Sequence, residues 1–368
     1  MSSPWITFTL TAGIVLAITP AVRRFALGVG ALVKPGSRSV HTRAVPHLGG
    51  VGMCAAFTAV MLLAGLGDLE EIRGALIGGG LICALGVYDD CKPLNARAKL
   101  MGQILIALVP VIFYDVRITF LSNPFGGYIV LGALAVPVTV FWIVASVNVV
   151  NLIDGLDGLA AGVTAISSLT LLFISMQEGQ AAVVPMTAAL AGCTVGFLPY
   201  NFNPAKIFMG DAGAMFLGYA LALVAVEGTM KSATTIALLV PLLALGVPIF
   251  DTSFAILRRL ANGHPIYEAD RGHLHHRLID LGLTQRQAVI VIYGMSAYLG
   301  LLAISLSSLG PGVWIVLAVP VLAGVFVLAK KAGLLELKET AKEKPSDQVR
   351  PKKVRSNLRS NGMHSKGF

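Results

Sequence analysis

The sequence predicts an all-α polytopic membrane protein of about eleven transmembrane helices, each a span of roughly 20 residues, with its N-terminus outside and its C-terminus cytoplasmic. Three observations carry that prediction. Of the 368 residues, 55% are hydrophobic and 13% charged, with a mean hydropathy of +0.78, whereas a soluble domain carries about 25% charged residues. Apolar runs of spanning length recur along the chain, without the alternation that barrel strands require. Basic residues also segregate, 25 of the 28 Lys and Arg falling on one side of the resulting alternation.

Taken in order, the apolar runs place helices at 5–22, 47–66, 72–88, 99–114, 128–150, 159–176, 181–198, 213–229, 234–257, 287–307 and 312–329. The run at 5–22 lacks a basic leading region and a small-residue cleavage site, so it reads as a first span and not as a removable signal peptide. The segment at 99–114 is short, and Pro137 interrupts the one at 128–150. Orientation follows from basic residues in the short loops. One side holds Arg23, Arg24, Lys34, Arg38 and Arg43, then Lys92, Arg97 and Lys99, then Lys206, then Arg258, Arg259, Arg271, Arg277 and Arg286, and the eleven that follow Ala329. The other side keeps Arg73, Arg117 and Lys231. The first side is therefore cytoplasmic.

Residues 1–330 form an integral membrane domain with functional cytoplasmic loops, and 331–368 a basic cytoplasmic tail whose composition predicts disorder. The net charge of +9 needs no nucleic-acid partner, because retention on the inner side and attraction to anionic membrane lipid account for a basic surface. Cys54, Cys83, Cys91 and Cys193 form no CxxC pair, so free thiols are expected and neither a disulfide nor a zinc site.

The acidic residues sort by side as well. Asp68, Glu70, Glu71, Asp115, Glu178 and Glu227 sit in short outer connections and read as solvated caps. On the inner side Asp89 and Asp90 (GVYDDCKPL), Asp154 and Asp157 (NLIDGLDGLAAG), Asp211 (NPAKIFMGDAGAMFLG) and Asp251 (PIFDTSFAILRR) lie at helix ends in Gly-rich, apolar surroundings. A carboxylate at membrane depth is costly unless paired, protonated or bound to a cation, so their shared side suggests one site. The plain alternative is that each acid caps a helix or pairs with a nearby base. Clustered carboxylates with little thiol favour a hard divalent cation, which binds through one or two carboxylates and substrate phosphates.

His273, His275 and His276 stand beside Arg271 and Arg277 in EADRGHLHHRLIDLGLTQRQ. Their spacing lacks the i, i+4 pair of zinc hydrolases, and the arginines suit an anionic phosphate better than a cation. The first inner loop, KPGSRSVHTRAVPHLGGVGM, brings Arg38, His41 and Arg43 ahead of Gly49 and Gly50, whose N–H groups can bind phosphate at a helix start or simply allow close packing. Lys92 and Lys99 flank the Asp pair within reach of a diphosphate, though retention on the inner side explains them equally well.

Four motifs in this order, YDD, NLIDGLDGLAAG, NPAKIFMGDAGAMFLG and DRGHLHHRL, resemble the polyprenyl-phosphate N-acetylhexosamine-1-phosphate transferase family (glycosyltransferase family 4) from about Lys34 to Arg286. The likeness is greatest to the branch that transfers GlcNAc-1-phosphate from UDP-GlcNAc to undecaprenyl phosphate. The family's helix number and topology agree with the reading above.

The resemblance implies release of UMP, a diphosphate-linked lipid that starts cell-envelope polysaccharide synthesis, and a bacterial inner-membrane location with the site on the cytoplasmic face. It implies Mg2+, with Mn2+ as a substitute, and is compatible with a homodimer. By the same resemblance Asp89 and Asp90 match an essential acidic pair that handles substrate phosphate or deprotonates the acceptor. Asp211 matches a magnesium ligand, Asp154 and Asp157 lie near nucleotide and metal with Asp154 a second ligand, and His273, His275 and His276 lie near the diphosphate. Asn201 and Phe208 hold the uridine, Phe208 by stacking, and Arg43, Lys92, Lys99, Asn151 and Arg271 complete the substrate contacts.

Ser39 and Ala44 stand where the family often has Lys and Pro, which weakens any role borrowed for that loop. The HLHH sequence looks like the GlcNAc type and unlike the phospho-MurNAc-pentapeptide type. The same chemistry with another UDP-N-acetylhexosamine is the nearest alternative. A transporter would carry its ionisable groups at mid-span, and a lipid-binding scaffold would tolerate loss of the acids.

Overall fold

The computed structural model describes residues 3–33, 44–122, 127–231, 239–261 and 273–308. They form helices α1 (Pro4–Gly28), α2 (Gly49–Leu63), α3 (Glu70–Cys91), α4 (Ala96–Phe113), α5 (Ala135–Ile153), α6 (Leu159–Gln177), α7 (Val183–Asn201), α8 (Gly210–Lys231), α9 (Leu239–Ala244), α10 (Gly246–Ala261), α11 (Leu274–Asp280) and α12 (Gln285–Ser308). Two short antiparallel pairs join them, β1 (Leu32–Val33) with β2 (Val45–Pro46) and β3 (Phe120–Ser122) with β4 (Tyr128–Val130).

Among the described residues eight helices are long and apolar enough to cross a membrane, and α2 and the start of α10 are shorter apolar helices. The chain is a multi-pass membrane protein. Its axis is α8, which packs against α2, α3, α5, α6 and α7 and buries Met215, Phe216, Leu217 and Tyr219. Small residues permit that approach, as in other membrane bundles. A Cβ on Gly50 would collide with the backbone of Gly213.

Three sequence expectations change. The run at 128–150 holds a strand before its helix: β4 ends at Val130, and α5 begins at Ala135 with Pro137 in its first turn, where a missing N–H is tolerated. The run at 234–257 is interrupted at Leu245 between α9 and α10. Glu227, expected as a solvated cap, is 2% exposed near the end of α8, whereas Asp68, Glu70, Asp115 and Glu178 are exposed. The span expected at 312–329 and the tail 331–368 lie outside the described residues. The four cysteines are free thiols, Cys54, Cys83 and Cys193 buried and Cys91 exposed.

Candidate active site

The ends of α3, α5 and α7 and the starts of α4, α6 and α8 meet at one end of the bundle. A basin of about 280 Å³ opens there, lined among others by Val33, His47, Asp90, Asn151, Asp154, Asp157, Asn201, Phe208 and Asp211. Seven of these were predicted from sequence.

Lys99 organises the acids. Its Nζ lies 2.8 Å from Asp89 Oδ2 and 2.9 Å from Asp211 Oδ2, and 3.5 Å from Asn151 Oδ1. Asn151 Nδ2 in turn donates to Asp211 Oδ1 at 2.6 Å. Asp211 thus has one oxygen on an amide and the other on an ammonium, which fixes its carboxylate plane at the basin wall. Asp89 sits behind Lys99, 8% exposed, and its Oδ1 accepts the Leu94 N–H at 2.6 Å. It therefore holds the α3–α4 turn and the lysine, away from the basin lining.

Asp90 accepts the N–H groups of Asp211 at 2.9 Å and Ala212 at 3.2 Å. A carboxylate at a helix start satisfies orphan donors and favours the dipole's positive end, so Asp90 sets where α8 begins and where Asp211 points. Asp157 works on the next loop, its Oδ2 accepting from Asn203 Nδ2 and the Ala205 N–H, each at 2.9 Å. Asn201 accepts the Gly158 N–H and donates to the Ile207 carbonyl, both at 3.1 Å. These contacts make a rigid frame around Phe208. Asp154 differs: among the described residues its carboxylate has no hydrogen-bond partner, and only its backbone N–H is bonded, to the Asn151 carbonyl at 3.3 Å. Burial first, then the charges of Asp211, Asp90 and Asp157, push its carboxyl up to about 7.

The histidine motif joins this frame through Gly155. A Cβ there would lie 2.6 Å from His275 Nε2, so the absence of a side chain lets the imidazole reach the loop between Asp154 and Asp157. His273 and His275 stack at 5.8 Å, and His276 lies 4.3 Å from His275. Burial, and then the charge of His276, lower His275 to about 4, leaving it neutral near pH 7. Asp251 Oδ2 lies 3.1 Å from His273 Nδ1, and its Oδ1 accepts the Leu274 N–H at 2.7 Å. Asp251 therefore seats α11, a role its place in PIFDTSF did not disclose.

Two expected features behave otherwise than as ligand contacts. Gly49 and Gly50 N–H groups donate to the carbonyls of Phe208 and Met209, each at 2.9 Å, so they bind the loop before α8 and the close-packing alternative describes them. Lys92 is exposed at the end of α3 and does not line the basin. Arg43 and Arg271 lie outside the described residues. Sequence reasoning passed over His47, which is 7% exposed in the basin wall and lowered by burial against the opposing pull of Asp211. Its next residue, Leu48, has φ +84°, a strained conformation of the kind that gathers at functional sites.

A helical membrane bundle that collects carboxylates, amides and imidazoles around a basin at one end is an integral membrane enzyme in layout. Residues 72–229 match the pattern of Glycosyl transferase family 4. Over 336 residues, 90% of this chain and 93% of the relative, the sequence is 37% identical to a Bacillus subtilis protein named "Probable undecaprenyl-phosphate N-acetylglucosaminyl 1-phosphate transferase". It is 34% identical to a Mycolicibacterium smegmatis decaprenyl-phosphate N-acetylglucosaminephosphotransferase, covering 81% of this chain and 80% of that one. With the undecaprenyl-phosphate alpha-N-acetylglucosaminyl 1-phosphate transferase of Salmonella typhi it shares 27% identity, over 73% and 75% of the two chains. The chain belongs to glycosyl transferase family 4, the membrane transferases that the motif resemblance indicated.

Proposed function

We propose that this enzyme transfers GlcNAc-1-phosphate from UDP-GlcNAc to undecaprenyl phosphate, releasing UMP, at the cytoplasmic face of a bacterial inner membrane. The orientation rests on the basic residues, which put the N-terminus outside and the tail inside, with the eleven apolar runs as the spans between them. The observation that carries the chemistry is the Lys99, Asn151 and Asp211 cluster, whose Asn151 and Asp211 line the basin together with Phe208 while Lys99 backs Asp211. A flat aromatic face suits a uracil ring, and a carboxylate backed by an ammonium suits a site that handles phosphate charge.

In the reaction, an oxygen of the acceptor's terminal phosphate attacks the β-phosphorus of the donor. The bond from that phosphorus to the bridging oxygen breaks, and UMP leaves with the electron pair. A phosphate monoester has its second pKa near 6, so the acceptor arrives largely deprotonated and needs little help from a base. Two anions must meet, so positioning and charge neutralisation dominate. Lys99 supplies fixed positive charge, Asn151 and Asp90 orient Asp211, and His275, neutral at the assay pH, contributes hydrogen bonding without adding charge.

The donor set fits magnesium. Asp211 and Asp154 offer carboxylate oxygens at the basin. Two carboxylates suit a cation whose remaining positions are taken by substrate phosphates and water. Held by Asp211 and Asp154, magnesium would supply charge neutralisation for phosphate oxygens, and manganese would substitute.

The test is UMP release by the detergent-purified protein from UDP-GlcNAc with undecaprenyl phosphate, with and without magnesium, for wild type and Asp211→Asn. Lipid-dependent, magnesium-dependent release that falls at least about a hundredfold in the variant, the scale of losing a key electrostatic group, is expected. Activity with another UDP-N-acetylhexosamine alone would overturn the sugar assignment, and inertness with every donor would overturn the reaction.

A further inference from the structure

One turn deeper in the bundle than Lys99, Asn151 and Asp211, the same three helices meet in a second polar layer. Gln103 follows Lys99 by four residues on α4, Asn148 precedes Asn151 by three on α5, and Met215 follows Asp211 by four on α8, so each shares a helix face with its partner in the site. Asn148 Nδ2 donates to Gln103 Oε1 at 2.7 Å, and Gln103 Nε2 donates back to Asn148 Oδ1 at 3.4 Å. Gln103 Nε2 also lies 3.4 Å from Met215 Sδ, and Asn148 Nδ2 closes onto the Val144 carbonyl at 2.8 Å.

Gln103 is 1% exposed and Met215 fully buried, inside spans whose other core positions are mostly aliphatic. An apolar pair would fill that space at no polar cost. A reciprocal amide pair instead has few registers in which all its groups are satisfied, which is how buried polar groups specify one alignment of helices. Sliding α4 by one residue along α5 moves it about 1.5 Å, enough to break both the amide pair and the contacts of Lys99 with Asn151 and Asp211.

We propose that Gln103 and Asn148 are positioning residues for the transfer reaction, an amide clasp that sets α4 against α5 and thereby aims Lys99 at Asn151 and Asp211. The inference rests on Lys99 and Asp211 forming the reaction centre. It assigns the clasp no contact with substrate. Its effect belongs in turnover, because Phe208, the face proposed for the uracil, lies outside α4 and α5.

The test compares wild type, Gln103→Leu and the exchanged pair Gln103→Asn with Asn148→Gln, all as full-length protein in detergent. Gln103→Leu is expected to lower kcat for UMP release at least tenfold with less than a twofold change in KM for UDP-GlcNAc, and the exchanged pair to recover kcat to within about threefold of wild type. A lowered melting temperature with kcat unchanged in the folded fraction would mean that the clasp is only packing, and the inference falls. Should wild type release no UMP from any donor, the reaction reading fails separately. The inference is then decided by a melting-temperature cycle of Gln103→Leu with Lys99→Met: losses that do not add uphold the coupling, and additive losses overturn it.

Discussion

The two ends of the bundle carry the same kinds of charge in different settings. At the end away from the basin, Arg73 pairs with Asp68 at 3.6 Å and Arg117 with Asp115 at 3.0 Å, with Asp68 fully exposed and Asp115 mostly so. At the basin end, Lys99 holds Asp89 and Asp211 at 2.8 and 2.9 Å, with the side chain of the lysine 18% exposed, that of Asp89 7% and that of Asp211 32%. Distance alone barely separates Arg117–Asp115 from Lys99–Asp89. Loss of hydration does, because a charge taken from water must be matched by partners or it destabilises the fold. The acids that frame the basin are thus marked by how completely their oxygens are committed, and acidity as such marks nothing.

The largest effect is expected of Lys99→Met, which leaves Asp89 and Asp211 without their ammonium. Removing one partner of a buried pair costs about 3–5 kcal/mol, so a large drop in melting temperature and loss of UMP release are expected together. A variant that melts like wild type would show that the basin pairs are no different from the outer ones. Next comes acid. Burial lowers His275 to about 4, below its unfolded value near 6.5, so the unfolded chain binds the extra proton between those values. The associated stability is fully present above pH 6.5 and is lost as pH falls toward 4, by about 2 kcal/mol at pH 5. Denaturation of wild type against His275→Asn at pH 7.5 and pH 5 isolates that term, and parallel curves would refute it.

Gly155→Ala is a smaller perturbation, since its Cβ would stand 2.6 Å from His275 Nε2. Overpacking of this sort costs about 1–3 kcal/mol, and turnover is expected to fall further than stability because the displaced group is the imidazole. Asp68→Ala, at the fully exposed end of the Arg73 pair, is the smallest change. An exposed pair contributes about 0–1 kcal/mol, so its melting temperature and activity should match wild type within error.

Much of this was legible in sequence. Spans such as α6 and α7 follow directly from apolar length, and the grouping of Asp90, Asp154, Asp157 and Asp211 around one basin follows from the cost of carboxylates at membrane depth. What stayed hidden depends on direction. Hydropathy averages over a window, so it passed through Leu245, where α9 and α10 part, and it merged β4 with α5. A list of acids says nothing about which oxygen faces which donor, so Asp90 as a cap and Asp89 as a brace look identical to Asp211. Gln103 and Asn148 did carry a signal, two amides inside apolar spans, that attention to charged residues overlooked. His47 sat in plain view in PHLGG, but its place in the basin wall needs the β1–β2 pair and the backbone bond from Phe208 to Pro46 to be seen.

Cys91 ends α3 one residue after Asp90, and it is the exposed thiol among four, the other three being enclosed by protein. The native chain therefore carries its own address tag. A membrane-impermeant maleimide added to sealed, oriented vesicles would report the compartment onto which the basin end of α3 opens, without any engineered residue.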